Sequence, residues 1–146
     1  MIIDTSALIS LYIPEKLSEF VRRKIDEKIN TVASHTFYFI DLIYYEFPNV
    51  IRKRVVRGEI STALGKEILK KGLEFVQLSK VVEDGEIAEY AYDLSLRYNL
   101  TVYDASLIAL AIKVKDKVLT TDEKLLNNMK RHKEISSYFV YPEESL

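Results

Sequence analysis

The chain has 146 residues, of which 48% are hydrophobic, and it includes 10 Tyr and 6 Phe. This is enough apolar material for the core of one compact domain, so we expect a single domain over residues 1–146. The absence of cysteine excludes disulfides and thiolate zinc sites. The net charge is −1, so the chain as a whole is not basic. No segment approaches the roughly 20 apolar residues of a membrane span, and the first apolar run ends at Asp4, too early for a signal peptide. We therefore expect a cytoplasmic protein with no membrane association.

The first part of the chain alternates apolar runs with amphipathic segments. Residues 1–3 predict a strand, residues 6–12 a short helix, and residues 15–29 a longer amphipathic helix. The second strand falls in one of two apolar runs, residues 31–33 or residues 37–40, and the pattern leaves both open. The chain is therefore expected to begin as a strand, two helices and a second strand.

One acidic residue, Glu46, interrupts the apolar pattern of a third helix. Residues 41–50 predict this helix, with Asp41 as its N-cap. Residues three and four positions apart share a helix face, so Glu46 should lie on the stripe that faces the sheet. The other members of that stripe are Leu42, Ile43, Asn49 and Val50. A carboxylate buried there needs a partner, which is either a bound cation or a nearby basic residue such as Arg52 or Lys53.

Glycine and apolar spacing divide the middle of the chain. Ser61 is a typical N-cap for a helix over residues 61–71, which we expect to end at Gly72. Residues 75–78 then predict a third strand, because they form a short, largely apolar run after this stop. The helical spacing of apolar residues from 83 to 98 predicts a further amphipathic helix.

Two more aspartates follow short β-type runs later in the chain. Asp104 comes after residues 100–103 and opens the segment 105–114, whose centre is apolar on every side and therefore predicts a buried helix. Asp122 comes after the β-type run at residues 118–121. The remaining predicted elements are a strand at residues 118–120, a helix at residues 122–130 and a last strand at residues 138–140.

Strands separated by helices predict a three-layer α/β/α fold of the Rossmann-like class, with a mainly parallel sheet of roughly five strands. In such a sheet, ligands bind beyond the carboxyl ends of the strands. Asp4, Asp104 and Asp122 all fall at that edge, and Glu46 can reach it from the start of its helix. Each aspartate alone is also explained as a helix N-cap, but three such residues at one edge favour a shared site.

A carboxylate cluster of this kind predicts a site for a hard divalent cation. Mg²⁺ and Mn²⁺ select oxygen ligands and bind through a few carboxylates together with substrate phosphates. The substrate is therefore expected to be a phosphodiester.

The surface outside the predicted site is slightly basic. Without the four acids of the site, 18 acidic residues remain against 21 basic ones. The basic cluster of Arg52, Lys53 and Arg54 could contact phosphates, although a solvated helix face has the same composition.

The order and spacing of these features resemble those of the PIN domain family, and within it the VapC-type toxins of toxin–antitoxin pairs. The resemblance covers nearly the whole chain and is carried by four motifs: Ile2-Ile3-Asp4-Thr5-Ser6-Ala7-Leu8, Tyr45-Glu46-Phe47-Pro48-Asn49-Val50-Ile51-Arg52-Lys53, Tyr103-Asp104-Ala105-Ser106 and Leu119-Thr120-Thr121-Asp122. Pro48 departs from the family pattern, in which a helix former is usual, and it is expected to kink the helix that carries Glu46.

This resemblance implies a metal-dependent endoribonuclease that hydrolyses RNA phosphodiester bonds, acting as the toxin of a VapBC-type pair. It implies that the catalytic centre, with one or two Mg²⁺ or Mn²⁺ ions, is formed by Asp4, Glu46, Asp104 and Asp122. The implied supporting contacts are the hydroxyls of Thr5, Ser6 and Thr120. The implied partners are the RNA substrate, a small antitoxin protein and a second copy of the chain in a homodimer.

Other functions remain open from the sequence. An RNA-processing nuclease of the same family would have the same site. A phosphotransfer domain would use Asp4 as an aspartyl nucleophile, but the second acid and the late lysine typical of that class are not in place. A nucleotide-binding or non-catalytic α/β domain is a further alternative, although no glycine follows the first strand to cradle a phosphate. His35 and His132 lie away from the acids, and we expect both on the surface with no metal role.

The helices between residues 15 and 57 carry more apolar residues than one face of a sheet obviously needs. These residues are Leu17, Phe20, Val21, Tyr44, Phe47, Ile51 and Val55. They either complete the core or line a groove for an amphipathic antitoxin helix.

Overall fold

The computed structural model describes residues 1–31 and 36–143, with residue 84 described by its backbone only. Its strands are Ile2–Ile3 (β1), Tyr38–Ile40 (β2), Lys80–Val82 (β3) and Val118–Leu119 (β4). Its helices are Thr5–Tyr12 (α1), Ser18–Thr31 (α2), Ile43–Val56 (α3), Thr62–Gln77 (α4), Ala88–Tyr98 (α5), Val102–Val114 (α6), Glu123–Met129 (α7) and Lys133–Ser136 (α8). A 3₁₀ turn at Asp84–Glu86 precedes α5. Within this part of the chain, no helix combines the length and the apolar character needed to cross a bilayer.

The strands form one parallel sheet in the order β3-β2-β1-β4, so β1 lies between β2 and β4. The last predicted strand, residues 138–140, contributes a single parallel bridge between Phe139 and Val118. The mainly parallel α/β class is therefore confirmed. In the described residues, four strands and this bridge take the place of the roughly five strands expected.

Each face of the sheet carries its own core, because successive strand residues point to opposite faces. Ile2 packs with buried residues of α5, α6 and α7, whereas Ile3 packs with buried residues of α1, α2, α3 and α4. The centre of α6, from Ala105 to Ala111, is buried throughout. Helices thus cover both faces, which confirms the three layers and the buried helix predicted after Asp104.

The second strand falls in the predicted run 37–40. The alternative run at residues 31–33 begins with Thr31 at the end of α2, and its other two residues lie outside the described part of the chain. The predicted helices at residues 6–12, 15–29, 83–98 and 122–130 are confirmed as α1, α2, α5 and α7, with shifted ends.

Two neighbouring predictions in the middle of the chain are wrong. The helix predicted over residues 61–71 does not end at Gly72, because α4 runs on to Gln77. Residues 75–78 therefore form the end of α4 and its cap, and they are not a strand. The third strand is β3, which pairs with β2 along its whole length.

Gly72 continues the helix because it belongs to the face of α4 on which α3 packs. A Cβ atom at this position would overlap the ring of Phe47, which is fully buried. Gly65, two turns earlier, faces α3 in the same way, since a Cβ there would come within 2.9 Å of Val55. These contacts with α3 outweigh the tendency of glycine to end a helix.

The β-type run at residues 100–103 is also not a strand. Thr101 is the N-cap of α6, and its hydroxyl accepts a hydrogen bond from the Asp104 N–H at 3.2 Å. Val102 and Tyr103 form the first turn of α6. The cap and the buried face of α6 outweigh the β-propensity of these residues. Asp104 therefore lies in the first turn of α6, at the start of the helix as predicted, and it does not follow a strand.

Most of the apolar residues considered for a groove belong to the core. Phe20, Val21, Phe47 and Ile51 are buried, Leu17 and Val55 are partly buried against the same cluster, and Tyr44 is exposed. Core packing therefore explains the four buried and two partly buried residues of this set, and Tyr44 lies on the surface.

Of the two histidines, the structure describes only His132. His35 lies outside the described residues. His132 is half-buried at the start of α8 and packs edge-on against Tyr98, with 5.1 Å between the ring centroids. His132 is therefore less exposed than the sequence predicts.

Candidate metal centre

The register of β1 and β4 places two polar residues side by side at the carboxyl edge of the sheet. Ile3 pairs with Leu119, and the Asp4 N–H donates to the Leu119 carbonyl at 3.0 Å. Asp4 and Thr120 therefore leave the sheet together. Both segments then turn into helices, since Asp4 caps α1 and Asp122 caps α7.

The Asp4 carboxylate accepts three hydrogen bonds. Its Oδ1 accepts from the Thr5 N–H at 2.8 Å. Its Oδ2 accepts from the Ser6 hydroxyl at 3.0 Å and from the Thr120 hydroxyl at 2.7 Å. The residues named as supporting contacts thus all touch Asp4, Thr5 through its backbone and the other two through their side chains.

The loop after β4 orients the two hydroxyls. The Thr121 N–H donates to the Ser6 oxygen at 3.0 Å, and the Asp122 N–H donates to the Thr120 oxygen at 3.1 Å. A hydroxyl has one proton, so an oxygen that accepts from a backbone amide can still donate to the carboxylate. Two backbone amides therefore act through Ser6 and Thr120 to hold Asp4 as a hydrogen-bond acceptor.

Asp104 and Asp122 lie near enough to Asp4 for their charges to interact. Burial raises the pKa of Asp4, and the charge of Asp122 adds to this rise, while its three hydrogen bonds act in the opposite direction. Burial also raises the pKa of Asp104, as do the charges of Asp4 and Asp122. The three carboxylates form one electrostatically coupled cluster, whose full ionisation is unfavourable without a cation.

Glu46 does not lie on the buried stripe predicted for its helix. The buried residues of α3 are Ile43, Phe47 and Ile51. These positions are four residues apart and define the inward face of α3, so the neighbouring position 46 lies to the side of it and Glu46 is exposed. The start of the helix also differs from the prediction, because Leu42 and not Asp41 occupies the N-cap position.

Glu46 nevertheless lines the same small cavity as Asp4 and Asp104. This cavity has a volume of about 50 Å³, which has room for an ion or one or two waters but is far below that of a nucleotide site. α3 continues through Pro48 without a break, although the proline removes the N–H that would bond to the Tyr44 carbonyl. The helix that presents Glu46 to the cavity is therefore intact.

The chemistry of these side chains fits a hard divalent cation. The cavity offers carboxylate oxygens, and the coupled aspartates are stabilised by a positive charge. In residues 1–31 and 36–143, no three acidic, histidine or cysteine side chains form a ready-made group for a metal ion. Mg²⁺ needs one or two carboxylates when waters and a phosphate complete its coordination. The site therefore fits an ion whose coordination is completed by water and substrate.

A larger cleft of about 800 Å³ adjoins this cavity and shares Asp104 with it. Asp122 also lines the cleft, and α7 forms one wall. No motif in the sequence singles out the six other polar residues of the cleft, which are Asn99, Thr101, Lys124, Asn127, Asn128 and Arg131. The available signal was the spacing of positions 124 and 128, which places them on one helix face.

The basic cluster considered for RNA contact is partly engaged in the protein. Arg54 forms an ion pair with Glu59 at 2.9 Å and another with Glu15. Arg52 and Lys53 are exposed, and Arg52 lies about 9 Å further along the helix axis than Glu46. The cluster is therefore offset from the acidic centre.

A model of the PIN domain family matches residues 1–131. The chain belongs to the PIN domain family. Ribonuclease VapC3 of Pyrobaculum aerophilum is 33% identical over 125 residues, which are 86% of this chain and 91% of that protein. The crystal structure of PAE2754 from Pyrobaculum aerophilum matches with a TM-score of 0.63 and 25% identity, covering 87% of this chain and 77% of that one.

We expect Thr120→Val to destabilise this PIN domain by about 1–3 kcal/mol. Valine has the shape of threonine, but at the fully buried position 120 it removes a donor to Asp4 and the acceptor of the Asp122 N–H. Urea unfolding followed by circular dichroism measures the change. The matched control is Thr121→Val, because the Thr121 hydroxyl bonds to no described residue. Equal stability of the two variants would show that the hydrogen bonds of the Thr120 hydroxyl do not stabilise the fold.

We expect Asp104→Asn to raise the thermal stability of the metal-free PIN domain at neutral pH. The pKa of Asp104 is raised by burial and by the charges of Asp4 and Asp122, so the folded state binds its proton more tightly than the unfolded chain does. The carboxylate therefore destabilises the fold at a pH above its raised pKa, and this effect disappears below the ordinary value of 3.8. Asparagine should raise the melting temperature by about 2–4 °C at neutral pH.

Calorimetry in EDTA, from neutral pH to below 3.8, measures the difference in melting temperature between Asp104→Asn and the wild type. Asp93→Asn removes an exposed carboxylate from α5 and should show no such gain. Mn²⁺ should stabilise the wild type more than Asp104→Asn, since a ligand stabilises a fold as far as it binds the native state. A variant less stable than the wild type at neutral pH would show that Asp104 is a structural partner and not a repelled charge.

Proposed function

We propose that this PIN domain is a metal-dependent endoribonuclease that hydrolyses RNA phosphodiester bonds and acts as the toxin of a VapBC-type pair. The observation that carries the proposal is the cluster of three coupled aspartates at the carboxyl edge of the sheet, with Glu46 at the same cavity. A relative that is 33% identical over most of both chains is named a ribonuclease. The proposal extends that activity to this chain.

In this proposal the metal ligands are Asp4, Glu46, Asp104 and Asp122, and the ion is Mg²⁺ or Mn²⁺. A bound ion of this kind lowers the pKa of a coordinated water and stabilises negative charge on the attacked phosphate. Asp4 suits the role of a fixed ligand, because three hydrogen bonds orient its carboxylate. Glu46 is exposed at the cavity, so it suits the role of orienting or deprotonating the attacking water.

Exposed tyrosines beside the acids favour a single-stranded nucleic acid as the substrate. Tyr103 lines the acidic cavity and is 68% exposed, and Tyr45, next to Glu46, is 78% exposed. Aromatic side chains stack on unpaired bases and contribute about 1–3 kcal/mol per base. Because the cavity has no room for a base, the bases must lie outside it, where these rings are available. Single-stranded RNA meets these requirements.

The phosphotransfer alternative requires one carboxylate oxygen of Asp4 to attack phosphorus. That class typically has a second acid close behind this aspartate and a lysine at the end of a later strand, whereas here Thr5 and Ser6 follow Asp4, and Lys117 precedes its strand. An RNA-processing PIN nuclease would have the same centre as a toxin and would differ in its target. The chemistry proposed for the centre is the same in both cases.

Cleavage of a labelled single-stranded RNA tests the nuclease function. We expect cleavage with Mn²⁺ or Mg²⁺, none in EDTA, and a loss of more than about 100-fold in rate for Asp104→Asn, since losing even an outer-shell partner of a metal typically costs 10–100-fold. Asp93→Asn should cleave like the wild type. Metal-independent cleavage, or full activity of Asp104→Asn, would contradict the mechanism. An aspartyl-phosphate formed from a phosphodonor would instead support the phosphotransfer alternative.

The toxin role adds two protein partners to the proposal, a small antitoxin and a second copy of the chain, with the cytoplasm as the location. Support comes from apolar side chains that remain exposed on one face of α5. Tyr92 and Leu96 are one turn apart and are 56% and 68% exposed. Exposed apolar surface of this kind is typical of protein contacts.

We expect the wild type to be a dimer and Leu96→Glu to shift it toward the monomer, because a charge would be buried in the contact. Light scattering on the purified protein measures this, and Leu78→Glu, at a residue that is 89% exposed after α4, is the control. Co-purification with the product of a small adjacent gene tests the antitoxin. A strictly monomeric protein with no such neighbour would remove the toxin role and leave the nuclease function intact.

A further inference from the structure

The cleft beside the acidic centre is large enough for part of a nucleic acid. Its volume is about 800 Å³, and Asp104 and Asp122 line it. Sites for small-molecule ligands typically measure about 300–1,000 Å³, whereas the cavity on the other side of Asp104 measures about 50 Å³. An RNA chain with a phosphate at the acids therefore finds room for its adjoining nucleotide on the α7 side.

Basic and amide side chains follow one another along α7 and the turn after it. Lys124 and Asn128 are four residues apart and share a face of α7, and Arg131 lies two residues beyond the end of the helix. The Arg131 N–H donates to the Asn128 carbonyl at 3.1 Å, which continues the turn beyond the end of α7. We refer to Lys124, Asn128 and Arg131 as the α7 row.

The side-chain polar groups of the α7 row have no partner among the residues that the structure describes. Lys124 and Arg131 form no ion pair with any residue that the structure describes, and the Asn128 side chain forms no hydrogen bond with one. The situation of Arg54 is different, because it is paired with two glutamates. The α7 row thus presents two cations and an amide to whatever enters the cleft.

We propose that the α7 row is the subsite for the nucleotide that adjoins the cleaved phosphodiester of single-stranded RNA. The inference rests on the nuclease function proposed above. Lys124 and Arg131 contact backbone phosphates, which offsets the repulsion between RNA and the acidic centre and adds affinity that does not depend on sequence. Asn128 has both a donor and an acceptor, so it recognises a base edge or a 2′-hydroxyl.

RNA binding measured without cleavage tests the two cations. The probe is a short fluorescein-labelled RNA of mixed sequence, and anisotropy is recorded in EDTA at several salt concentrations. The variant Lys124→Gln/Arg131→Gln is compared with Lys80→Gln/Lys117→Gln, which removes the same charge from exposed positions at the amino-terminal edge of the sheet. Melting temperatures of both variants should match the wild type, because all four side chains are exposed.

We expect the cleft variant to bind the RNA at least about tenfold more weakly, and the control variant to bind like the wild type. The slope of log K against log salt should decrease by about 1.4 in the cleft variant, since each phosphate contact to a single strand contributes about 0.7. In Mn²⁺, the cleft variant should show a raised KM with little change in kcat. Asn128→Ala should leave the salt slope unchanged but alter which phosphodiesters are cut, as read by sequencing the fragments.

The outcomes separate this inference from the proposed function. If the cleft variant binds and cleaves like the control variant, or if the wild type binds no RNA in EDTA, the subsite is overturned. If the two variants behave alike and the wild type cleaves RNA, the nuclease function is still supported. If the wild type binds RNA through the α7 row but cleaves none with either metal, the subsite is supported and the nuclease function fails.

Discussion

The parallel pairing of β1 with β4 determines where the polar residues of the centre lie. These two strands are far apart in sequence, and their register sets Asp4 directly beside Thr120. The hydroxyl of Thr120 can then donate to the Asp4 carboxylate, and the next backbone amides can orient both hydroxyls that reach it. A shift of one residue in this register would turn Thr120 to the other face of the sheet and remove the arrangement. The chemistry of the site thus depends on two very short strands.

At this edge of the sheet, repulsion between carboxylates is opposed by the hydrogen bonds that Asp4 accepts. Three carboxylates in one place repel one another and lose solvation, which raises the pKa of Asp4 and of Asp104. Hydrogen bonds to Asp4 act against this by favouring its ionised form. The protein therefore holds acidic groups in positions that a positive charge would stabilise. Lys124 on α7 and Arg131 in the turn after it place positive charge at the neighbouring cleft.

The sequence was sufficient for the features that local chemistry determines. Short apolar runs that end in Asp4 and Thr120 indicate strands and the edge where they stop, and the buried α6 follows from its continuous apolar centre. Features that depend on partners distant in sequence were missed. Residues 75–78 have a strand-like composition but form the end of α4 and its cap, where Phe75 packs on Phe39 of β2 and Val76 is fully buried. The helical spacing of Glu46 from Leu42, Ile43, Asn49 and Val50 predicts it on the inward face, but Phe47 occupies that face. The cleft beside α7 required knowledge of how α6 and α7 lie in space.

Gly72 has a consequence for the acidic centre although it has no polar side chain and lies on another helix. The space left by its missing Cβ receives the ring of Phe47, and Phe47 directly follows Glu46 in the chain. The lack of a Cβ at Gly72 therefore allows α3 and α4 to pack closely. This packing also determines the direction in which α3 presents Glu46 to the cavity. The position of Glu46 at the acidic centre thus depends on the contact between α3 and α4. An inventory of charged residues alone would give no sign of this dependence.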